Sequence, residues 1–210
     1  MMLLSSDEIK KLVDEFLVKY SADLECKFYE FEDKIRNQGD RSPKMYIVKE
    51  GVIKLGKIEN LTNPIVSTLG FCFGSGALVP LAFLFPNSKV PISLLEIKSI
   101  KNNLLKDKSQ FNSVYEITAE QWNYIAGKDE MFRELPLHIF SHNLDASLVF
   151  SATVRKNRNA NILYSTMYKT KHPILNSGIE NKYIADFLGV TINTLNIFEN
   201  KARLKQSEAK

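Results

Sequence analysis

Cysteine is scarce: Cys26 and Cys72 stand alone, with no spacing suited to a metal or a redox pair, and a reduced cytoplasm is the simplest setting. Long apolar runs are missing as well. The longest, GALVPLAFLF at 76–85, contains a proline and falls well short of the ~20 residues that span a bilayer. The opening MMLL runs at once into charged residues, so no secretory signal and no membrane association are expected. Histidine occurs only at His138, His142 and His172, all beyond the strand-forming region, which leaves a metal-dependent oxygenase or isomerase barrel without its ligands. His138 and His142 lie one helical turn apart with Asp145 three residues on, a face that can hold zinc but is read here as the polar flank of a helix. There is no glycine-rich phosphate loop, serine nucleophile elbow, internal repeat or low-complexity linker. No catalytic residue, cofactor or resident metal is therefore expected, and the chain is not read as an enzyme.

What is present is unevenly placed. Residues 155–210 carry ten Lys/Arg against four Asp/Glu, whereas residues 1–154 carry eighteen against twenty. The basic surplus sits wholly in the last quarter, which points to an anionic partner there.

Periodicity divides the chain. Ser5 and Glu8 have capping-box spacing, and Ile9, Leu12, Val13, Phe16, Leu17 and Tyr20 recur at helical intervals, so a helix is predicted over 6–20. From about residue 27 to 118, KFYEFE, KMYIVKEGVIKLGKIE, NPIVSTLGF, VPISLLEIKSI and SVYEIT read as short strands broken by glycines, a β-sandwich or barrel. Thr118 and Gln121 cap the next helix, and Pro136 begins or kinks another. Leu137, Phe140, Leu144, Leu148, Ser151 and Arg155 then follow a 3/4 spacing, widened by Val149 and Phe150, the pattern of a helix that pairs with its own copy.

The segment YIADFLGVTINTLNIFENK (183–201) has the form of a helix-turn-helix. Counted from Asn181, Ala185 is fifth, small enough for two helices to cross, and Gly189 is ninth, free to take the turn. Ile184, Leu188, Val190, Leu195 and Phe198 fill the inward places, and Thr191 can cap the second helix. A major-groove placement would direct Thr191, Ile192, Asn193, Asn196, Ile197 and Asn200 towards bases. Asparagine can bind adenine through two hydrogen bonds and isoleucine can touch a thymine methyl, so this set can read A·T pairs without arginine. Lys201, Arg203 and Lys205 would hold phosphates.

With strands, long helix and hairpin in this order, the chain resembles the Crp/Fnr superfamily of bacterial transcription regulators. IRNQGD followed by MYIVKEGVIKL is similar to the early strands of its cyclic-nucleotide-binding barrel, and YSTMYKTKHPILNSGIENKYIADFLGVTINTL to the short C-terminal domains of one branch. The resemblance implies an α+β fold: a jelly-roll-like β-barrel of the double-stranded β-helix type at 1–128, a dimerisation helix at 129–157, and an all-α helix-turn-helix domain at 158–210. It implies a cytoplasmic homodimer bound to double-stranded DNA at a near-palindromic operator, with RNA polymerase as a further candidate partner. A small-molecule effector would enter a pocket lined by Phe73, Gly74, Ser75, Gly76, Ala77 and Leu78 and by Ser88, Lys89 and Val90; the other reading of this segment is a barrel wall packed for stability that takes no ligand.

The sequence departs from that family in three places. Nucleotide-binding members hold ribose with a glutamate after glycine and the cyclic phosphate with an arginine; here Ser75 follows Gly74, and Lys89 is the nearest cation. Serine carries no charge and lysine lacks the planar fork, so cyclic AMP is not expected to bind. Asn196 and Ile197 stand where the family usually has Ser-Arg, which changes the expected operator. About ten residues follow the hairpin, too few for a two-stranded wing, so further phosphate contacts are expected from the tail and from Arg155, Lys156 and Arg158. The rival reading is a dimeric module that senses a ligand or partner and no longer reads DNA sequence.

Overall fold

The first helix, α1 (Ser6–Tyr20), begins where the spacing places it. Ser5 Oγ accepts from the Glu8 amide and the Glu8 carboxylate accepts from the Ser5 amide. The computed structural model describes residues 4–36, 43–58, 66–74, 76–84, 96–101, 111–143, 160–176 and 178–207. Strands β1 (Cys26–Glu30), β2 (Lys34–Arg36), β3 (Lys44–Glu50), β4 (Val52–Ile58), β5 (Val66–Phe73) and β6 (Ala77–Leu78) follow, then a single helical turn α2 (Leu81–Leu84), β7 (Glu96–Ile100) and β8 (Phe111–Thr118). They form two four-stranded antiparallel sheets, ordered β1-β8-β3-β6 and β2-β7-β4-β5. The architecture is a jelly-roll-like sandwich of two sheets, and not a closed barrel.

Strand β3 shows why its sequence reads as a continuous apolar run. Tyr46 and Val48 face the second sheet, packing with Ile53, Leu78, Ile97 and Val114. Met45 and Ile47 face outwards into a cluster built by α1, by α3 (Ala119–Lys128) and by the helix that follows. A strand covered on both faces cannot alternate with polar residues. In the outer cluster Phe16, buried completely, meets the rings of Trp122 and Phe132 at 5.1 and 5.4 Å. Thr118 and Gln121 cap α3 as the sequence predicts.

Asn112 on β8 ties the two sheets together. Its Nδ2 shares protons among the Val52 and Ile100 carbonyls and Ser99 Oγ, each at 2.8 Å, while its Oδ1 accepts from the Val52 amide. The β3–β4 turn presses on this amide: at Gly51 (φ +97°) a Cβ would lie 1.8 Å from Asn112 Oδ1.

Glu116 is enclosed at one end of the same strand. Burial opposes its ionisation, but hydrogen bonds from Lys44, Tyr29 and Lys27 outweigh it and hold the carboxyl below its ordinary value. A depressed folded pKa adds stability above the unfolded value, and this is lost as pH falls through the folded one. Glu116→Gln is therefore expected to lower Tm at neutral pH, with the difference from wild type closing below the ordinary carboxylate range. A gap that persisted undiminished in acid would contradict this.

Helix α4 is described over 135–143, with Pro136 in its first turn. His138 is buried, with Nε2 3.8 Å from the Glu134 carboxylate, and His142 is half-buried. Of the proposed dimerisation stripe, Leu137 is exposed and Phe140 is half-buried against the outer cluster; Leu144 to Arg155, Asp145 within that span, and the cations Lys156 and Arg158 lie outside the described residues. The C-terminal helices are α5 (Ala160–Lys169), α6 (Pro173–Asn176), α7 (Asn181–Phe187) and α8 (Ile192–Ser207). No helix among the described residues is long and apolar enough to cross a membrane.

Candidate nucleic-acid interface

The turn between α7 and α8 is a Schellman motif. Gly189, at φ +67°, donates to the Asp186 carbonyl, and Val190 donates to the Ala185 carbonyl at 2.9 Å. Thr191 then caps α8, its Oγ1 accepting from the Thr194 amide at 3.2 Å. Ile184, Ala185, Leu188 and Leu195 are buried between the two helices, with Val190 and Phe198 half-buried beside them. These are the contacts of a helix-turn-helix.

The other side of α8 is left to solvent. Thr191, Ile192, Asn193, Asn196, Ile197, Asn200, Lys201 and Arg203 are all exposed. Asn193, Asn196 and Asn200 are spaced by three and four residues and so share one face. Ile192 and Ile197 are 47% and 52% exposed, large aliphatic groups that the fold does not need there. Arg203 meets the Glu199 carboxylate one turn back, a pair exposed enough to be worth only about 0–1 kcal/mol and easily exchanged for a phosphate.

Sequence reasoning did not foresee where α7 docks. Its Phe187 ring sits 5.7 Å from Phe71, and Phe71, Phe73, Val52 and Ile100 on the outer face of the second sheet join the core of the C-terminal helices. Glu32, in the β1–β2 turn, organises the polar rim. It accepts from the buried Tyr183 hydroxyl, pairs with Lys98 at 2.5 Å, and lies 3.7 Å from Lys182. Glu32 holds a left-handed backbone (φ +75°), which disfavours a non-glycine residue by roughly 1 kcal/mol. The only signal in the sequence was aromatic residues on both partners, Phe71 and Phe73 against Tyr183 and Phe187. Glu32→Ala is expected to speed amide exchange across residues 181–188 about tenfold, from loss of a charge-assisted hydrogen bond worth roughly 1.5 kcal/mol or more. Unchanged exchange would mean that the apolar contact alone holds α7.

Of the proposed effector pocket, Phe73 joins this cluster with the C-terminal helices, Ala77 packs against the helices over the first sheet, and Leu78 lies between the sheets. Gly74 is exposed and Gly76 half-buried. The described members thus face different clusters. Ser75, Ser88, Lys89 and Val90 lie outside the described residues.

A jelly-roll sandwich joined to a C-terminal helix-turn-helix defines a class of two-part architecture, and solved structures show which fold it is. FixK2 from Bradyrhizobium japonicum is similar over 87% of this chain and 86% of its own, with TM-score 0.64 and 14% identity. The c-di-GMP responsive global regulator CLP from Xanthomonas campestris is similar over 92% and 93%, with TM-score 0.61 and 10% identity. A CooA mutant from Carboxydothermus hydrogenoformans is similar over 91% and 84%, with TM-score 0.64 and 11% identity. The fold is Crp/Fnr-like, as the sequence resemblance implied. At the level of sequence, no protein-family model and no curated protein matches the chain.

Proposed function

We propose that the protein is a homodimeric, cytoplasmic DNA-binding transcription regulator that reads A·T-containing half-sites and does not respond to cyclic AMP. One observation carries the reading: a helix-turn-helix closed by a Schellman turn packs its apolar face inwards and leaves Thr191, Ile192, Asn193, Asn196, Ile197 and Asn200 exposed together. Direct readout needs that arrangement, and the asparagine face can recognise adenine edges. Lys201, Arg203 and Lys205 add phosphate contacts, which supply affinity without sequence choice.

The docking of α7 on the second sheet offers a route for regulation. An effector that favours one arrangement of the sensor sheet would shift the helix-turn-helix with it, provided it binds the two arrangements differently. An effector site around residues 73–78 and 88–90 belongs to this proposal, as do pairing along 129–157 and contact with RNA polymerase. Ser75 and Lys89 supply neither the carboxylate nor the planar fork that cyclic nucleotide recognition uses.

Selection of the full-length protein against random duplexes at physiological salt tests the function. The expected product is one near-palindromic sequence with A·T pairs in each half. Enrichment of no sequence, with binding that simply weakens as salt rises, would make the chain a sensing module that no longer reads DNA.

A further inference from the structure

The C-terminal domain contains a cavity of about 670 Å³, within the range that holds small organic ligands. It opens between α5, α6, α7 and α8. Leu175, Ile184, Leu195 and Ala202 give it an apolar floor. One wall is aromatic: the Tyr164 and Tyr168 rings stack at 6.3 Å with 26° between their planes. The mouth is cationic. Glu199 is the one carboxylate among its lining residues, and Arg203 already neutralises it at 2.5 Å. Lys169 and Lys171 are exposed there, with no ion-pair partner among the described residues.

The backbone adds an independent indication. Helix α5 ends in a Schellman turn, His172 donating to the Met167 carbonyl at 2.8 Å, and Lys171 occupies the left-handed position at φ +51°. That position favours glycine, because a Cβ there meets the following carbonyl. A lysine in this place sets its charge at the cavity mouth against the local preference of the chain.

We propose that this cavity binds a small amphipathic organic anion, an aromatic body lying against Tyr164 and Tyr168 with its acidic group held by Lys169 and Lys171. The site stands on the cavity and its charge, and does not depend on how α8 reads DNA. Because Leu195 and Ala202 belong to α8, an occupant would brace that helix from behind.

The test is titration of the full-length protein with 8-anilinonaphthalene-1-sulfonate, followed by fluorescence and by amide chemical shifts. One dye should bind per chain, with shifts concentrated in residues 164–176 and 195–203. Lys169→Gln with Lys171→Gln should weaken binding tenfold or more, and Ser165→Phe, which fills the cavity, should abolish it. Lys171→Gly is the sharpest variant: it should be at least as heat-stable as wild type and still bind dye more weakly. Shifts confined to the sandwich, or dye affinity unmoved by the lysine variants, would overturn the proposal. So would lysine variants that lose DNA affinity alone, since those cations would then serve phosphates.

Discussion

Replacing Asn196 and Asn200 together by alanine is expected to remove sequence preference while leaving salt-sensitive binding to any duplex. Each bidentate amide–adenine contact discriminates against a wrong base by about 1–3 kcal/mol. Two such contacts on each hairpin should therefore lower the preference for a selected operator by a factor of roughly 100 or more. Both side chains are exposed, and neither takes part in the packing that holds the hairpin. The variant should accordingly fold and melt like wild type, since alanine improves helix propensity at both positions. Lys201→Gln serves as the contrast. It should weaken binding to every sequence alike and reduce the salt slope by about two, one phosphate contact being lost on each hairpin. Equal losses on specific and random DNA in the asparagine variant would assign those amides to the phosphate backbone.

Asn112→Leu is expected to produce the largest loss of stability. Its amide serves the Val52 amide and carbonyl, the Ile100 carbonyl and Ser99 Oγ, all within the sandwich. Leucine satisfies none of them; Ser99 Oγ keeps the Tyr29 carbonyl, and each of the other three buried groups left without a partner costs about 1–3 kcal/mol. A total of roughly 3–9 kcal/mol is a large share of the stability of an ordinary domain, and should lower Tm by roughly 10 °C or more. Gly51→Ala tests the same spot from the other side, because its Cβ would strike Asn112 Oδ1 and its backbone is left-handed. In an Asn112→Ala background the approaches at 1.8 and 2.5 Å disappear, leaving a tight 3.0 Å approach to the Cβ of residue 112 and the backbone penalty of about 1 kcal/mol. The two changes should therefore cost much less together than their separate effects suggest. Strict additivity would mean that Asn112 does not press on the turn.

What could be read from the chain was what short-range chemistry determines. The caps at Ser5, Thr118 and Thr191 are each set by hydrogen bonds spanning three residues, and the Gly189 turn by the conformational freedom of one residue. The main strands were visible through their aromatic and β-branched content. Strands β2 and β6, at three and two residues, are too short to carry a period. Long-range partners were not legible. Nothing near Asn112 in sequence announces a buried amide bridging two sheets, since its partners come from β4 and β7. Glu32 reads as an ordinary turn acid until Tyr183, 151 residues away, is brought to it. Phe73 packs with the C-terminal helices, while Leu78 lies between the sheets. Period-two alternation says that such a residue is buried on one face, not which element covers it.

The most direct test of the account replaces single adenines of a selected operator with 7-deazaadenine, which keeps Watson–Crick pairing but removes the N7 acceptor from the major groove. Wild-type protein should lose about tenfold or more in affinity at one or two adenines in each half-site, and Asn196→Ala or Asn200→Ala should become indifferent to the replacement at its own adenine. Wild-type binding unaffected by 7-deazaadenine at every position would contradict the claim that the amides of α8 read adenine edges.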